Sequence, residues 1–286
     1  MSAQISGASK LRLGYLGPEG TFSEQAAIGY NQDAEYVRYS SIPQVASAVE
    51  SGEIDEGVVP IENSLHGSII DILDFLIRTD NTFIKHELAI PVEQCLMLAP
   101  DRKSDEVEVV YSHPQALGQC RGYLAEHYPN ARMVASLSTA GSVSDMLAST
   151  SPAAAIAPFR AGEIHCAFVA TRGIQDNTTN YTRFVVLAGE DAPPSGRDKT
   201  SLAFWFPSDA PGSLYTALGV FANRGLNLTK IESRPTGQSL GEYLFLVDVE
   251  GHRTDEKVGL AFDDLAAHTT SVKVFGSYPM MERLPD

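Results

Sequence analysis

The segment Asn177-Thr178-Thr179-Asn180-Tyr181-Thr182-Arg183-Phe184 packs three threonines, two asparagines and one arginine into eight residues, and the apolar run Val185-Val186-Leu187 follows at once. A surface loop would be polar too, but it would usually carry Gly, Pro or Lys. Hydroxyls, amides and one guanidinium at the entry to a buried strand suit a pocket for a small anion. Alternation along a strand sends neighbouring side chains to opposite faces. Thr182 and Phe184 therefore share one side, and Arg183 takes the other. Arg183 then either clamps a carboxylate bidentately or ties the loop to a buried acid. The ring of Phe184 reads as a pocket wall or core residue.

Other polar loops stand in comparable positions. The β-branched run Gly57–Ile61 leads to Glu62-Asn63-Ser64 and then to an amphipathic stretch from Ile69 to Ile77. Val107–Tyr111 leads to Ser112-His113-Pro114-Gln115 and a helix over about 116–127. Val134–Leu137 leads to Ser138-Thr139 and a helix reaching Leu147. Ala153–Ala157, then Pro158, opens a fourth unit whose helix runs to about Phe168. At the start, Leu11–Leu16 reads as a strand, Gly17–Gly20 as a tight turn, and Thr21 or Ser23 as the cap of a helix through Tyr30. Strands alternating with helices predict parallel α/β layers. Ligands in such layers sit beyond the carboxyl ends of strands, where helix N-termini present free N–H groups.

The residue types assign provisional roles. Asn63 and Ser64 cap a helix start, which is an anion site as well. Ser112 and Gln115 are neutral donors, and Thr179 and Asn180 line the pocket. Glu62 would repel an anion unless protonated or paired, so a structural or orienting role is expected. His113 either titrates near neutrality or fixes its loop.

A composition break at Gly189–Gly196 reads as a linker. Beyond it the pattern changes to strand 200–206, helix 213–223, strand 228–233, a turn beginning at Thr236-Gly237, strand 243–249, helix 255–267 and strand 272–278. That order is β-α-β-β-α-β, the ferredoxin-like split unit.

Composition excludes other classes. With 286 residues, 43% hydrophobic and 20% charged, the chain suits two soluble globular units. No apolar run approaches the ~20 residues of a membrane span, and Met1–Lys10 reads as a polar tail rather than a signal peptide. Cys95, Cys120 and Cys166 are scattered and odd in number, which favours a reducing cytoplasm. A formal charge of -15 without a basic stripe disfavours nucleic acid. It also means that an anionic ligand must be met by local donors. No phosphate-binding glycine motif points to a nucleotide, and His165-Cys166 lacks ligand-spaced partners. Neither a cofactor nor a metal is expected.

Six motifs, taken in order, resemble those of the prephenate dehydratases. They are Gly17-Pro18-Glu19-Gly20-Thr21-Phe22-Ser23; Pro60-Ile61-Glu62-Asn63-Ser64 with Gly67; Ser112-His113-Pro114-Gln115-Ala116; and Thr182-Arg183-Phe184. In the C-terminal part stand Gly212-Ser213-Leu214, where the family usually has Gly-Ala-Leu, and Glu232-Ser233-Arg234-Pro235. The resemblance runs from Leu11 to Tyr278. It implies a periplasmic-binding-protein-like catalytic domain of two α/β lobes across a cleft (10–190), then an ACT domain (198–280). Lobe one is drawn over about 10–90 plus 172–187 and lobe two over about 91–171, with hinges near Pro91 and Thr171. With no mutase-like helix before Leu11, the single-activity form is expected.

The resemblance further implies conversion of prephenate to phenylpyruvate, with Thr182 as the catalytic residue and Arg183, Phe184, Asn63, Ser64, Ser112, Gln115, Thr179 and Asn180 around the substrate. It implies L-phenylalanine as effector, held by Gly212, Ser213, Leu214, Glu232 and Ser233, in a homodimer or homotetramer. Arogenate dehydratase and a non-catalytic amino-acid sensor are the competing readings.

Overall fold

The computed structural model describes residues 10–100, 102–206, 210–236 and 242–281. The N-terminal tail before Lys10, and Gly237 of the expected turn, lie outside the described residues.

Lobe one is built from β1 (Arg12–Leu16), α1 (Phe22–Tyr30), β2 (Glu35–Tyr39), α2 (Ile42–Glu50), β3 (Glu56–Asn63), the short β4 (Gly67–Ser68), α3 (Ile70–Arg78) and β5 (Phe83–Pro91). Lobe two follows as β6 (Cys95–Leu98), β7 (Val109–Ser112), α4 (Pro114–Gln119), α5 (Arg121–His127), β8 (Arg132–Ala135), α6 (Gly141–Leu147), β9 (Ala153–Ala157), α7 (Phe159–His165) and β10 (Phe168–Arg172). The chain then returns as β11 (Tyr181–Ala188) into the first sheet, whose order is β2-β1-β3-β11-β5. The second sheet runs β10-β6-β9-β7-β8. This is the expected two-lobed α/β architecture.

Parallel pairing holds for β1 with β2 and β3, and for β7 with β8 and β9. It fails at the crossings. β11 runs antiparallel to β3 and β5, and β6 antiparallel to β9 and β10. These strands carry the chain out of one lobe and back, so their direction follows the connection and not the βαβ repeat. β10 also extends lobe two to Arg172, which pairs with Cys95.

Two helices differ from expectation. The helix expected over 116–127 is broken at Cys120, because the Asp176 carboxylate accepts the N–H groups of Gly122 and Tyr123 at 2.9–3.3 Å and starts a new helix there. The helix expected to reach Phe168 stops at His165. Cys166 takes a left-handed turn (φ 52°) and the chain enters β10.

The C-terminal module comprises β12 (Asp198–Trp205), α8 (Ser213–Ala222), β13 (Leu228–Pro235), β14 (Tyr243–Glu250), α9 (Glu256–His268) and β15 (Ser271–Pro279), with sheet order β13-β14-β12-β15. This is the predicted β-α-β-β-α-β unit. One sheet face packs Phe204 and Val247 against Phe221 and Leu265 of the helices. The other face joins lobe one. Ala203, Leu244, Leu246, Phe275 and Tyr278 belong to one continuous core with Leu73, Leu76, Ile84, Val185 and Leu187.

The Gly189–Gly196 stretch is therefore not a free tether. Ala192 is buried and donates its N–H to Ser277 O at 3.1 Å, and Asp191 pairs with Arg253 at 2.8 Å. Where β15 crosses β5, the backbones nearly touch. Gly276 has φ +150°, and a Cβ there would lie 2.2 Å from Ile84 O. Only glycine fits that approach. Gly276→Ala should therefore cost ~2–4 kcal/mol of stability, read as a lower urea midpoint for the whole chain.

Candidate active site

A cavity of about 870 Å³ opens between the two lobes. Its walls come from the polar loops at the carboxyl ends of β1, β3, β7 and β8, and from the start of β11. Thr21 caps α1 by accepting the Glu24 N–H, so a helix N-terminus faces the same space.

Thr182 and Phe184 both line the cavity, as alternation predicts. Asn63 Nδ2 donates to Thr182 Oγ1 at 3.0 Å and to Asn180 Oδ1 at 2.8 Å. Asn63 Oδ1 accepts the N–H groups of Leu65 and His66 at 3.1–3.2 Å, so the β3–β4 turn holds the amide at both ends. Gln115 lines the cavity from lobe two and reaches His66 of lobe one at 3.1 Å. The lobes touch again where Arg160 of α7 lies 3.5 Å from Glu24 of α1. Gly20 permits this approach, since a Cβ there would stand 2.8 Å from Ala161 Cα.

The other expected substrate residues lie off the cavity wall. Ser112 is fully buried, its hydroxyl donating to Ile156 O at 2.6 Å. It braces β7 against β9. Ser64 Oγ accepts the Tyr181 N–H at 2.9 Å and fixes the start of β11. Thr179 turns its N–H and hydroxyl to Asn177 Oδ1, both at 2.8 Å. Asn180 is buried beside a second cavity of about 520 Å³. Sequence reasoning gave Arg38, Gln94 and Gln119 no role and Ser23 only that of a candidate helix cap, although all four line the main cavity. Arg38 stands alone in an unremarkable strand, and nothing in the residue pattern marks it.

Arg183 resolves in favour of the buried-acid alternative. It points away from the cavity into the junction with the C-terminal module. Nε donates to Glu87 Oε2, Nη1 to Asp248 Oδ2 and Nη2 to the Tyr278 hydroxyl, each at 2.8 Å. Lys199 Nζ meets the same Glu87 at 2.9 Å, and Ser201 Oγ donates to Asp248 at 2.5 Å. Two cations thus face two carboxylates in a nearly dry junction. Burial alone would lower the Arg183 pKa, but Tyr278, Asp248 and Glu87 outweigh it and raise it further. Burial likewise pushes Asp248 up, yet Arg183 and Lys199 hold its carboxyl below the usual range. The Tyr278 hydroxyl is pushed well up by burial.

At the rim of this junction Glu62 lies 3.0 Å from Lys230, which gives it the structural role expected. Glu232 accepts from the Ser68 hydroxyl at 2.5 Å and sits 3.3 Å from Lys230. Its carboxylate thus faces lobe one. Lys230, Glu232 and Arg234 share the inward face of β13, and Ser233 lies on the exposed face. Arg234 reaches Asp74 of α3 at 2.6 Å. Gly212, with φ 88°, starts α8 at Ser213, and Leu214 packs into the module's own core.

Two mixed α/β lobes around a cleft lined mainly by neutral side chains and Arg38, with a ferredoxin-like module fixed to one lobe, define a two-lobed cleft protein with an appended ferredoxin-like sheet. The comparisons specify it further. The prephenate dehydratase family matches residues 13–192 and the ACT domain family residues 202–266. A bifunctional chorismate mutase/prephenate dehydratase of Aquifex aeolicus is 41% identical over 98% of this chain and 76% of that protein. The structure of a prephenate dehydratase from Arthrobacter aurescens in complex with L-Phe superimposes with a TM-score of 0.87 at 34% identity, covering 94% of this chain and 90% of the other. The structure of GqqA, described as a novel type of quorum quenching acylase, gives 0.85 at 29% identity, with 94% and 98% covered. The chain belongs to the prephenate dehydratase family.

The junction yields a stability prediction. Arg183→Leu removes the direct cation partner of Asp248, leaves Glu87 to Lys199, and should cost ~3–5 kcal/mol by chemical denaturation. Asp248, with its folded pKa depressed, contributes stability that is complete above its unfolded value near ~3.9 and is lost as pH falls through the folded value. Asp248→Asn should therefore flatten the acid limb of the stability–pH curve below about pH 4.

Proposed function

We propose that this chain catalyses the decarboxylating dehydration of prephenate to phenylpyruvate, water and carbon dioxide, on the route to L-phenylalanine. Prephenate carries two carboxylates and a ring hydroxyl. The bond to the ring carboxylate breaks and releases carbon dioxide. Its electron pair becomes ring π density as the C–O bond opposite breaks, and the departing hydroxide takes up a proton to become water. Aromatisation supplies the driving force. The protein needs only to orient the ring and help the hydroxide leave.

The carrying observation is the pairing of Thr182 with Asn63. The amide occupies one lone pair of Thr182 Oγ1, which leaves the threonine proton to be donated toward the cavity. A threonine hydroxyl is a poor acid, so its role is a hydrogen bond to the leaving oxygen. Phe184 supplies an apolar wall for the ring. Among the described residues lining the cavity there is no Asp or Glu, and Glu19 at its edge is paired with Arg38, so an ammonium would find no free counter-charge there. This favours prephenate over its amino analogue arogenate, and the Thr182–Asn63 arrangement favours an enzyme over a non-catalytic sensor.

Regulation by L-phenylalanine completes the reading. The catalytic unit spans 10–190 and the ACT unit 198–280. Paired ACT modules of a homodimer or homotetramer in the cytoplasm bind the amino acid, its carboxylate received where Gly212, Ser213 and Leu214 open α8. Its ammonium goes to backbone carbonyls near Ser233, since Glu232 is engaged with Ser68 and Lys230. Binding biases a two-state arrangement of the modules, and the Arg183 junction carries that bias to β11. The test is the absorbance of phenylpyruvate formed from prephenate, with and without L-phenylalanine. Turnover should be present and should fall with the effector. Thr182→Ser should keep much of it, and Thr182→Val should lose about 10²–10³-fold in kcat. A wild-type enzyme that cleaves acyl amides but makes no phenylpyruvate would overturn the reading.

A further inference from the structure

A dianion entering a protein of formal charge -15 needs a cation at the point of contact. Arg183 is committed to the domain junction. Among the described residues lining the cavity, Arg38 is the single Lys or Arg. It lies on β2, where its partner in register is Tyr15 of β1, one residue before the strand end that opens on the cleft. Its stem crosses the turn after β1. A Cβ on Gly17 would fall 2.4 Å from Arg38 Cγ and 2.6 Å from Cδ. The bare glycine thus leaves the channel through which this side chain reaches the cavity.

Among the described residues the guanidinium has one carboxylate partner, Glu19, with Nη1–Oε1 at 3.4 Å. Both side chains are more than half exposed, at 56% and 55%. Such a long, solvated pair is weak, and it engages one N–H of a group that carries several and can grip a carboxylate with two. We propose that Arg38 receives a carboxylate of the substrate, and that Glu19, its present partner, yields to the incoming carboxylate. Glu19 then sets affinity by competition. This assignment rests on the prephenate reading.

The test uses the full chain and two variants with opposite signs. Arg38→Gln should raise KM for prephenate by about 10–100-fold, as expected for loss of a charge-assisted contact, with kcat within about threefold of wild type. Glu19→Gln should lower KM by about two- to fivefold, because the competing anion is gone. Arg38→Lys should restore part of the loss. The rise of KM with added salt, expected for wild type, should be blunted in Arg38→Gln. An unchanged KM and salt response in Arg38→Gln would overturn the assignment, as would a raised KM in Glu19→Gln. Calorimetric titration with phenylpyruvate, a monocarboxylate of matching shape, separates the two readings. Binding that weakens in Arg38→Gln, in a wild type without turnover, would preserve the carboxylate role and sink the reaction. Turnover with Arg38-independent binding would do the reverse.

Discussion

A charged side chain taken out of water must find partners, and Arg183 finds all of its own outside the element that carries it. Glu87 comes from β5, Asp248 from β14, Tyr278 from β15 and, at 3.5 Å, Glu62 from β3. With Lys199 opposite Glu87 and Lys230 opposite Glu62, each of these carboxylates has a cation beside it in a space that excludes most solvent. Such a cluster holds only when every member is present, since removing one strands the others. The C-terminal sheet must therefore lie against lobe one, in register, for β11 to be stable. With Arg183 turned into the junction, the pleat of β11 leaves Thr182 and Phe184 nowhere to point but the cleft. Docking of the C-terminal sheet and presentation of the cavity-facing hydroxyl are two faces of one strand.

The cleft answers the problem set by an acidic chain with an anionic ligand mostly through neutral chemistry. Hydroxyls, amides and the N-terminus of α1 surround the cavity. Such donors solvate negative charge without introducing fixed charges that would need partners of their own. Asn63 illustrates the economy. Its amide nitrogen serves β11 and its oxygen serves the turn after β3, so one side chain ties both elements at the point where they meet the cavity.

Local pattern made much of this legible. Period-two alternation placed Thr182 and Phe184 on one side, and the polar loops after β1, β3, β7 and β8 marked the cleft. The β-α-β-β-α-β order identified the C-terminal sheet. What stayed hidden was set by distant residues. Asp248 is one of two acids in the mostly apolar β14, and its meaning depends on Arg183, 65 positions away. The break at Cys120 is imposed by Asp176, more than fifty residues on. The direction of Glu232 depends on which face of β13 meets lobe one, which a strand's own alternation does not decide. Ser112, in a loop that promised substrate contact, was claimed instead by the carbonyl of Ile156.

The contact at Gly276 bears on how such a protein can be assembled from parts. Modules joined by a tether can be exchanged as cassettes, by recombination or at the bench, because each brings its own finished surface. Here the sheet contributes side chains to the catalytic lobe's interior and a bare backbone to the crossing with Ile84. A transplanted module would have to bring a residue without a side chain at the crossing, an acid at the place of Asp248 and a phenol at the place of Tyr278. Inheritance of the two units as a single block is the arrangement this seam favours.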